Sequence, residues 1–360
     1  MSSDYEAPWN GPIVDAHQHF WDPTGNNHPW LQPGVLIAFR YGDYSAIKRR
    51  YLPEDYLADA SGHAVCETVY VETEWDPATP IEETRYATGL AERKGLPSAI
   101  VAQAWLDRDD VSSVIALQAA FTLVRSVRHK PGGPVTPDTV GQQQTLMSNE
   151  TWRRGYELLE RYGLHFDLQT PWWNLDEAVR LARDFPRTLI ILNHAGLPSD
   201  RTSEGLSAWH QAMARFAAEP NVRVKISGLG QQDRPWSVSE NRWIVEEIIA
   251  IFGPDRAMFA SNFPVDSLRG RSTRSTPDSS RSQSAIRTRI KSCCSARLPA
   301  KSTGRESRTP PMRAPQDRTR HRAAKRTHSA LMFASRMTRP KSSYCFRRRV
   351  AKSAPHIPAG

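Results

Sequence analysis

Two histidines, His17 and His19, lie two residues apart in the segment IVDAHQHFWD. Residues two apart on a β-strand point to the same side, so both imidazoles are expected to project together from one strand. Neutral imidazoles in this arrangement suit a zinc-type divalent ion, although an isolated pair more often serves to hydrogen-bond the backbone. A third histidine, His194, follows the apolar run of LIILNHAG. Three histidines from the ends of two separate strands indicate a catalytic or metal-binding centre.

The elements that would position these histidines alternate along the chain. Short apolar runs rich in β-branched residues predict eight strands, at residues 13–20, 67–75, 99–106, 124–130, 164–170, 188–194, 222–228 and 256–263. Amphipathic segments predict helices between them, at residues 81–95, 149–163, 174–185 and 239–253. This α/β alternation over roughly 250 residues is typical of a (β/α)8 TIM barrel, whose active sites lie at the C-terminal ends of the strands. A doubly wound open sheet is the alternative, but no GxGxxG follows the first strand, so dinucleotide binding has no support.

The charge of the chain changes sign near residue 269. Residues 269–360 hold 24 Lys and Arg against 3 Asp and Glu, a net charge of +21, whereas residues 1–268 hold 24 basic and 35 acidic residues, a net charge of −11. Because the segment 269–360 is rich in Arg, Ser and Pro and lacks an apolar period, we expect a disordered basic tail after a barrel domain at residues 1–268. A nucleic-acid-binding tail and a solvated linker are two interpretations of it. We favour a third, a change of reading frame near Leu268, because the tail begins where the helix after the eighth strand should lie.

Composition excludes several classes of protein. No apolar run approaches the roughly 20 residues that cross a bilayer, and the first 12 residues lack the basic-then-apolar pattern of a secretory signal. The cysteines are too few and too unevenly spaced for a disulfide framework or a zinc ribbon; they are Cys66, Cys293, Cys294 and Cys345. We therefore expect a cytoplasmic protein that acts on a small molecule. Only the tail suggests a nucleic-acid partner.

Six motifs in order resemble one known family: IVDAHQHFWD, VYVETEWDP, GLHFDLQ, LIILNHAGLP, VRVKISGL and RAMFASNFPVD. They resemble the amidohydrolase-related branch of the amidohydrolase superfamily, and most closely the group that contains L-fuconolactonase, sulfomuconolactonase and pyrone-dicarboxylate lactonase. The resemblance covers residues 11 to about 268. It implies a (β/α)8 barrel and a hydrolase that commonly opens a lactone ring.

The resemblance also implies a metal set and a departure from it. His17, His19 and His194 match the family's histidine ligands of a divalent ion. The aspartate that the family usually carries in the eighth strand is Asn262 here. An amide cannot take a proton from water and is a poorer metal ligand than a carboxylate. The metal set is thereby reduced to three histidines, which agrees with the weak or absent metal dependence of some lactonases in this branch.

Two carboxylates are candidates for the general base that Asn262 cannot supply. Asp266 lies four residues farther along the same loop, where it can either point back into the barrel mouth or serve as an ordinary loop aspartate. Glu72 is predicted on the second strand, on one face with Glu74. Buried there, it would have a raised pKa and act as a base, or it would pair with Arg125 or Arg128.

Four residues at strand ends are candidates for substrate binding. Arg128 could hold a substrate carboxylate with two parallel hydrogen bonds. His129 follows it, Gln169 ends the fifth strand where the superfamily often has a metal histidine, and Trp21 could wall a small ring.

These residues predict a hydrolase that opens a small carboxylated or sugar-derived lactone. The histidines would polarise the carbonyl, directly or through one divalent ion, and Asp266 or Glu72 would activate water. A metal-dependent decarboxylase of the same superfamily is the second interpretation. A catalytically inactive protein is the third, because of Asn262 and the aberrant tail.

Overall fold

Eight parallel strands form the centre of the protein, for which a computed structural model describes residues 11–270. The strands are β1 Ile13–Gln18, β2 Val65–Val71, β3 Ala99–Gln103, β4 Val124–Arg128, β5 His165–Leu168, β6 Ile190–Leu192, β7 Val222–Ile226 and β8 Ala257–Phe259. Each pairs in parallel with the next in chain order. The predicted TIM barrel is confirmed.

Helices connect successive strands, and a short one follows the last strand. They are α1 Pro53–Asp59, α2 Pro80–Lys94, α3 Val111–Ala120, α4 Glu150–Arg161, α5 Leu175–Asp184, α6 Ser203–Ala217, α7 Val238–Phe252 and α8 Ser267–Gly270. Their ends follow from local chemistry: the Asn149 side chain caps α4 by accepting from the Trp152 amide at 3.0 Å, and α2 stops at Gly95, whose φ of 78° suits a residue without Cβ. Within residues 11–270 none of the helices is long and apolar enough to cross a membrane.

The main core lies between the strands and the helices. It contains fully buried Trp152, Trp209 and Phe166, together with the outward-facing residues of most strands. α4 approaches the barrel so closely that a Cβ on Gly155 would lie 2.0 Å from the Leu106 carbonyl oxygen. The small size of residue 155 therefore allows this helix to pack closely on the loop that follows β3.

The seam between the first and last strands is closed just beyond β8. The backbone N–H of Asn262 donates to the His17 carbonyl at 2.7 Å, and the backbone N–H of His19 donates to the Phe263 carbonyl at 2.8 Å. Asp15 fastens the same seam: its carboxylate accepts from the Ser261 amide at 2.9 Å, from the Ser261 hydroxyl at 2.5 Å and from the His17 amide at 3.1 Å. The closure thus holds the end of β1 against the loop that carries Asn262.

The eight predicted strands are all present, but they end earlier than predicted. The predicted second, sixth and eighth strands run on to residues 75, 194 and 263, whereas β2, β6 and β8 end at Val71, Leu192 and Phe259. Glu74, His194 and Asn262 have φ between 53° and 58°, a left-handed conformation that cannot continue a strand. The candidate site residues consequently lie in tight turns just past the strands.

After β8 the described residues contain helix α8, which reaches Gly270, the last of them, so the predicted lack of a full final helix stays a prediction. The predicted basic tail lies outside the described residues.

Candidate active site

The three predicted histidines come together at the C-terminal end of the barrel. His17 lies near the end of β1, His19 follows it directly, and His194 lies two residues past β6. The Nε2 atoms of His17 and His19 are 3.2 Å apart, and the ring centres of His17 and His194 are 4.7 Å apart. All three side chains are buried. The convergence inferred from sequence is present in the fold.

Each histidine is held neutral by its surroundings. Burial lowers the pKa of His19 to about 3, with the charge of Arg128 acting in the same direction. Burial also brings the pKa of His17 well below its usual value, and electrostatic repulsion from His194 and Lys225 lowers it further. His194 is lowered in pKa for the same first reason, burial. Neutral imidazoles keep a free lone pair, so the cluster can coordinate a cation or hydrogen-bond a carbonyl group.

The tautomer of His19 follows from its partner. Its Nδ1 lies 2.9 Å from the Val71 carbonyl oxygen, which can only accept, so Nδ1 carries the proton and Nε2 carries the lone pair. His194 is oriented in a similar way by the Ser227 hydroxyl, 2.9 Å from its Nδ1. Ser227 follows β7 and was not identified from sequence.

Asn262 is oriented just as firmly. Its Nδ2 donates to Asp266 Oδ1 at 2.8 Å, and a carboxylate can only accept, so Asn262 Oδ1 must face His19 Nε2, 3.2 Å away. Asp266 is itself fixed by the Tyr41 hydroxyl at 2.8 Å and by the Gly228 amide at 2.9 Å. The two lone pairs, one on His19 and one on Asn262, therefore converge on one point.

Convergent lone pairs allow a test of whether a divalent ion fits. A separation of 3.2 Å between Nε2 atoms is close to that of two imidazoles on one tetrahedral zinc, given Zn–N bonds of about 2.0–2.1 Å. His19 and His194 also have the outer hydrogen bonds that metal-bound histidines usually make. Against this, within residues 11–270 His17 Nδ1 is buried without a partner, and no group of three His, Cys, Asp or Glu side chains forms a ready metal site. The donors suit a divalent ion, but they do not form a complete set of metal ligands.

The two candidate bases lie in different environments. Glu72 forms a buried ion pair with Arg128, and its other oxygen accepts from the Glu74 amide at 2.8 Å. Of the two roles considered for Glu72, the structure thus contains the pairing with Arg128. Asp266 has no such ion pair among the described residues, and burial raises its pKa above 3.8, partly offset by Arg40. Asp266 is therefore the stronger base.

Glu74 does not share a strand face with Glu72, because β2 ends at Val71. It pairs instead with Lys130 and is 42% exposed. The predicted alternation was wrong here because the chain turns out of the strand.

Arg128 and His129, two of the predicted substrate-binding residues, make contacts within the protein. The guanidinium of Arg128 donates to the Glu72 carboxylate, to the Glu72 carbonyl at 2.5 Å and to Gln169 Oε1 at 2.9 Å. His129 Nδ1 accepts from the Leu106 amide at 3.1 Å and from Trp152 Nε1 at 3.0 Å. These bonds give Arg128 and His129 partners within the protein, and their contacts with a substrate stay predictions.

Trp21 is fully buried, so the prediction that it contacts substrate is corrected. Its Nε1 donates to the carbonyls of Ile47 and Arg49, at 3.1 and 3.0 Å, and its ring stacks on His19 with centres 5.9 Å apart. Trp21 supports the histidine from behind.

A cavity of about 830 Å³ lies between the loops that follow β1, β2, β4, β5, β6 and β7; its lining includes Arg40 but neither the three histidines nor Asp266. Trp30, Phe39 and Trp173 provide aromatic walls, and Gln169 contributes an amide. This volume suits a small organic molecule. Gln169 is the one predicted substrate-binding residue that lines it.

Arg40 also lines this cavity, and sequence reasoning missed it. Its Nη2 donates to the Gly228 carbonyl. Asp15 and Tyr41 were missed as well. Asp15 precedes the two histidines in the alternating pattern DAHQH, which was a usable signal, whereas Arg40 and Tyr41 lie in a long loop without periodicity.

Comparison with known proteins agrees with this architecture. The Amidohydrolase family model matches residues 14–275. The uncharacterized protein y4mH of Sinorhizobium fredii is 41% identical over 261 residues, which cover 71% of this chain and 86% of that protein. An L-fucono-1,5-lactonase of Burkholderia ambifaria is 28% identical over 258 residues, which cover 71% of this chain and 82% of the relative.

A solved structure has the same fold. The crystal structure of an amidohydrolase from Burkholderia multivorans with bound zinc aligns with a TM-score of 0.61 at 23% identity, over 79% of this chain and 94% of that one.

The chain belongs to the amidohydrolase family and is an enzyme of the family's hydrolase type. Within that family, its resemblance to the lactonase-containing branch is confirmed. Enzymes of this superfamily commonly use a divalent metal.

Proposed function

We propose that the protein hydrolyses a small lactone at the histidine cluster. The observation that carries this proposal is the convergence of three neutral histidines with Asn262 and the carboxylate of Asp266, at the end of the barrel whose loops enclose a cavity sized for a small ring. The 28% identical relative named as a lactonase supports the reaction class.

His17, His19 and His194 are the residues that would hold a divalent ion. When bound, such an ion would act as a Lewis acid on the lactone carbonyl. Because the donor set contains no carboxylate and His17 Nδ1 has no acceptor within residues 11–270, we expect binding to be weaker than at a site with an aspartate.

Asp266 is the proposed general base. Its Oδ1 accepts two hydrogen bonds, from Tyr41 and Asn262, while its Oδ2 accepts one, from the Gly228 amide. Oδ2 therefore has the capacity to take a proton from water as the water oxygen bonds to the carbonyl carbon. The ring C–O bond then breaks, the leaving alkoxide takes that proton from Asp266, and the product is a hydroxy acid.

The remaining residues position the reactants. Val71 and Ser227 hold His19 and His194 in fixed orientations, and Gln169 offers an amide at the cavity wall. The aromatic walls exclude water from one side of the ring, which strengthens each polar contact made inside.

Acid release from a panel of five- and six-membered lactones, followed at constant pH, tests the proposal. The wild-type full-length chain should open at least one of them. His194→Asn should lower the rate about 100-fold or more, as loss of a carbonyl-polarising group does in other hydrolases. His210→Asn, on the exposed face of α6, is the matched control and should leave the rate unchanged.

Two outcomes would reject the proposal. One is a folded wild-type protein that opens none of the lactones. The other is release of carbon dioxide from hydroxybenzoic acids without any ring opening, which would establish the decarboxylase alternative.

A further inference from the structure

Arg40 is a cation on the cavity wall that lacks an acidic partner. Within residues 11–270 no ion pair includes it, and its Nη1 is buried without a hydrogen-bond partner. Asp266, whose charge interacts with that of Arg40, accepts its three hydrogen bonds from Tyr41, Asn262 and Gly228 and none from Arg40. Arg40 Nη2 donates to the Gly228 carbonyl, so Nη1 is the charged donor that gains from an incoming acceptor.

The other charged groups of the cavity do not offset Arg40. The lining contains three charged residues, Arg40, Glu74 and Lys130, and the last two pair with each other. The wall therefore keeps a net charge of +1, located at Arg40. Arg128, the arginine expected to bind a substrate carboxylate, already has a counter-charge in Glu72 and donates three hydrogen bonds to Glu72 and Gln169.

Gly228 brings this charge next to the reacting groups. A Cβ at Gly228 would lie 2.8 Å from the Cβ of His194 and 2.9 Å from Arg40 Nη1. The arginine and the histidine thus flank the same point, and only a residue without a side chain leaves room for both. Gly228 also adopts a φ of 63°, which disfavours other residues.

We propose that Arg40 is a specificity-determining residue that binds an anionic group, a carboxylate, carried by the lactone. This inference rests on the proposed function and narrows its substrate class. The ring packs between the aromatic walls with its ester carbonyl at the histidines. The carboxylate substituent accepts hydrogen bonds from the guanidinium beside His194.

A matched pair of substrates isolates this contact. Glucaro-γ-lactone carries a carboxylate where glucono-γ-lactone carries a neutral hydroxymethyl group, and the rings are otherwise alike. The wild type should prefer the carboxylated lactone by about 10-fold or more in kcat/KM. Arg40→Gln should raise KM for the carboxylated lactone roughly 10- to 100-fold, which corresponds to loss of a charged hydrogen bond, and should leave KM for the neutral lactone unchanged. Because Arg40 also lowers the pKa of Asp266, any change in kcat should fall equally on both lactones.

Two further variants separate the geometry from the charge. Arg40→Lys keeps the charge but not the planar fork, so it should recover only part of the preference. Arg85→Gln removes an exposed cation far from the barrel mouth and should have no effect on either substrate.

The outcomes distinguish this inference from the proposed function. Hydrolysis of both lactones without a preference, or an equal rise in KM for both in Arg40→Gln, would reject the role of Arg40 and leave lactone hydrolysis intact. Failure to open any lactone of the wider panel would reject the proposed function itself.

Discussion

Replacing Asn262 by aspartate tests whether the amide occupies the position described above. In Asn262→Asp, a carboxylate oxygen takes the place of Nδ2, 2.8 Å from Asp266 Oδ1. Two unit charges at that distance repel by about 6 kcal/mol at an effective dielectric constant of about 20. Since one pKa unit corresponds to about 1.4 kcal/mol, the second ionisation of the pair moves up by about 4 units, so the pair keeps one proton at neutral pH.

This retained proton gives the variant a signature. The new carboxylate also lies beside His19 Nε2, so a divalent ion there would displace the shared proton. Asn262→Asp should bind Zn²⁺ at least about 10-fold more tightly than wild type. It should also release about one more proton per ion than wild type, because the three histidines are already neutral.

Isothermal titration calorimetry of full-length protein with Zn²⁺, repeated in buffers of different ionisation enthalpy, measures both quantities. The double variant Asn262→Asp with Asp266→Asn is the control, because the new carboxylate then has an amide neighbour and ionises freely. Equal Zn²⁺ affinity and equal proton release in wild type and Asn262→Asp would refute the placement of Asn262 between Asp266 and His19.

Three further predictions concern the base, the core and the buried ion pair. Because burial raises the pKa of Asp266 above 3.8, wild-type kcat/KM should fall as the pH drops through that raised pKa. Asp266→Asn should be about 100-fold slower or worse, and its pH–rate profile should lack this fall at acidic pH. If the variant keeps the acidic fall, another residue is the base. Gly155→Ala should lower the free energy of unfolding, measured in urea, by about 3 kcal/mol or more, because the added Cβ meets backbone atoms. In the control Gly89→Ala the added Cβ meets only the flexible end of a side chain, so stability should be unchanged or higher by up to about 1 kcal/mol. Similar values for both variants would contradict the close packing of α4. Glu72→Gln should lose about 3–5 kcal/mol of unfolding free energy because it leaves Arg128 buried without its counter-charge, and a loss below about 1 kcal/mol would show that the pair is not desolvated.

The barrel could be predicted from sequence because its signals are local and repeated. Eight apolar runs alternate with amphipathic helices, and each strand needs only one face toward the core and one toward the interior. The strand ends could not be predicted, because turning out of β6 and β8 depends on contacts across the barrel mouth. His194 and Asn262 take left-handed conformations that their own sequence does not require.

The histidine cluster was predictable for a different reason. His17 and His19 share a side of β1 through simple alternation, and His194 ends another strand at a similar depth. Which carboxylate pairs with which arginine was not predictable, because β2 and β4 bring Glu72 and Arg128 together from 56 residues apart. Arg40 lies in the long segment between β1 and α1, where no period indicates which residue will reach the cavity.

Identification of the reaction products tests the central claim most directly. Purified full-length protein is incubated with the lactone panel, with and without added Zn²⁺, and the products are identified by mass spectrometry. The account predicts that at least one lactone gains one water and becomes a hydroxy acid, and that His194→Asn largely abolishes this product. A folded protein that leaves every lactone unchanged, or that instead removes carbon dioxide from an aromatic acid, would contradict it.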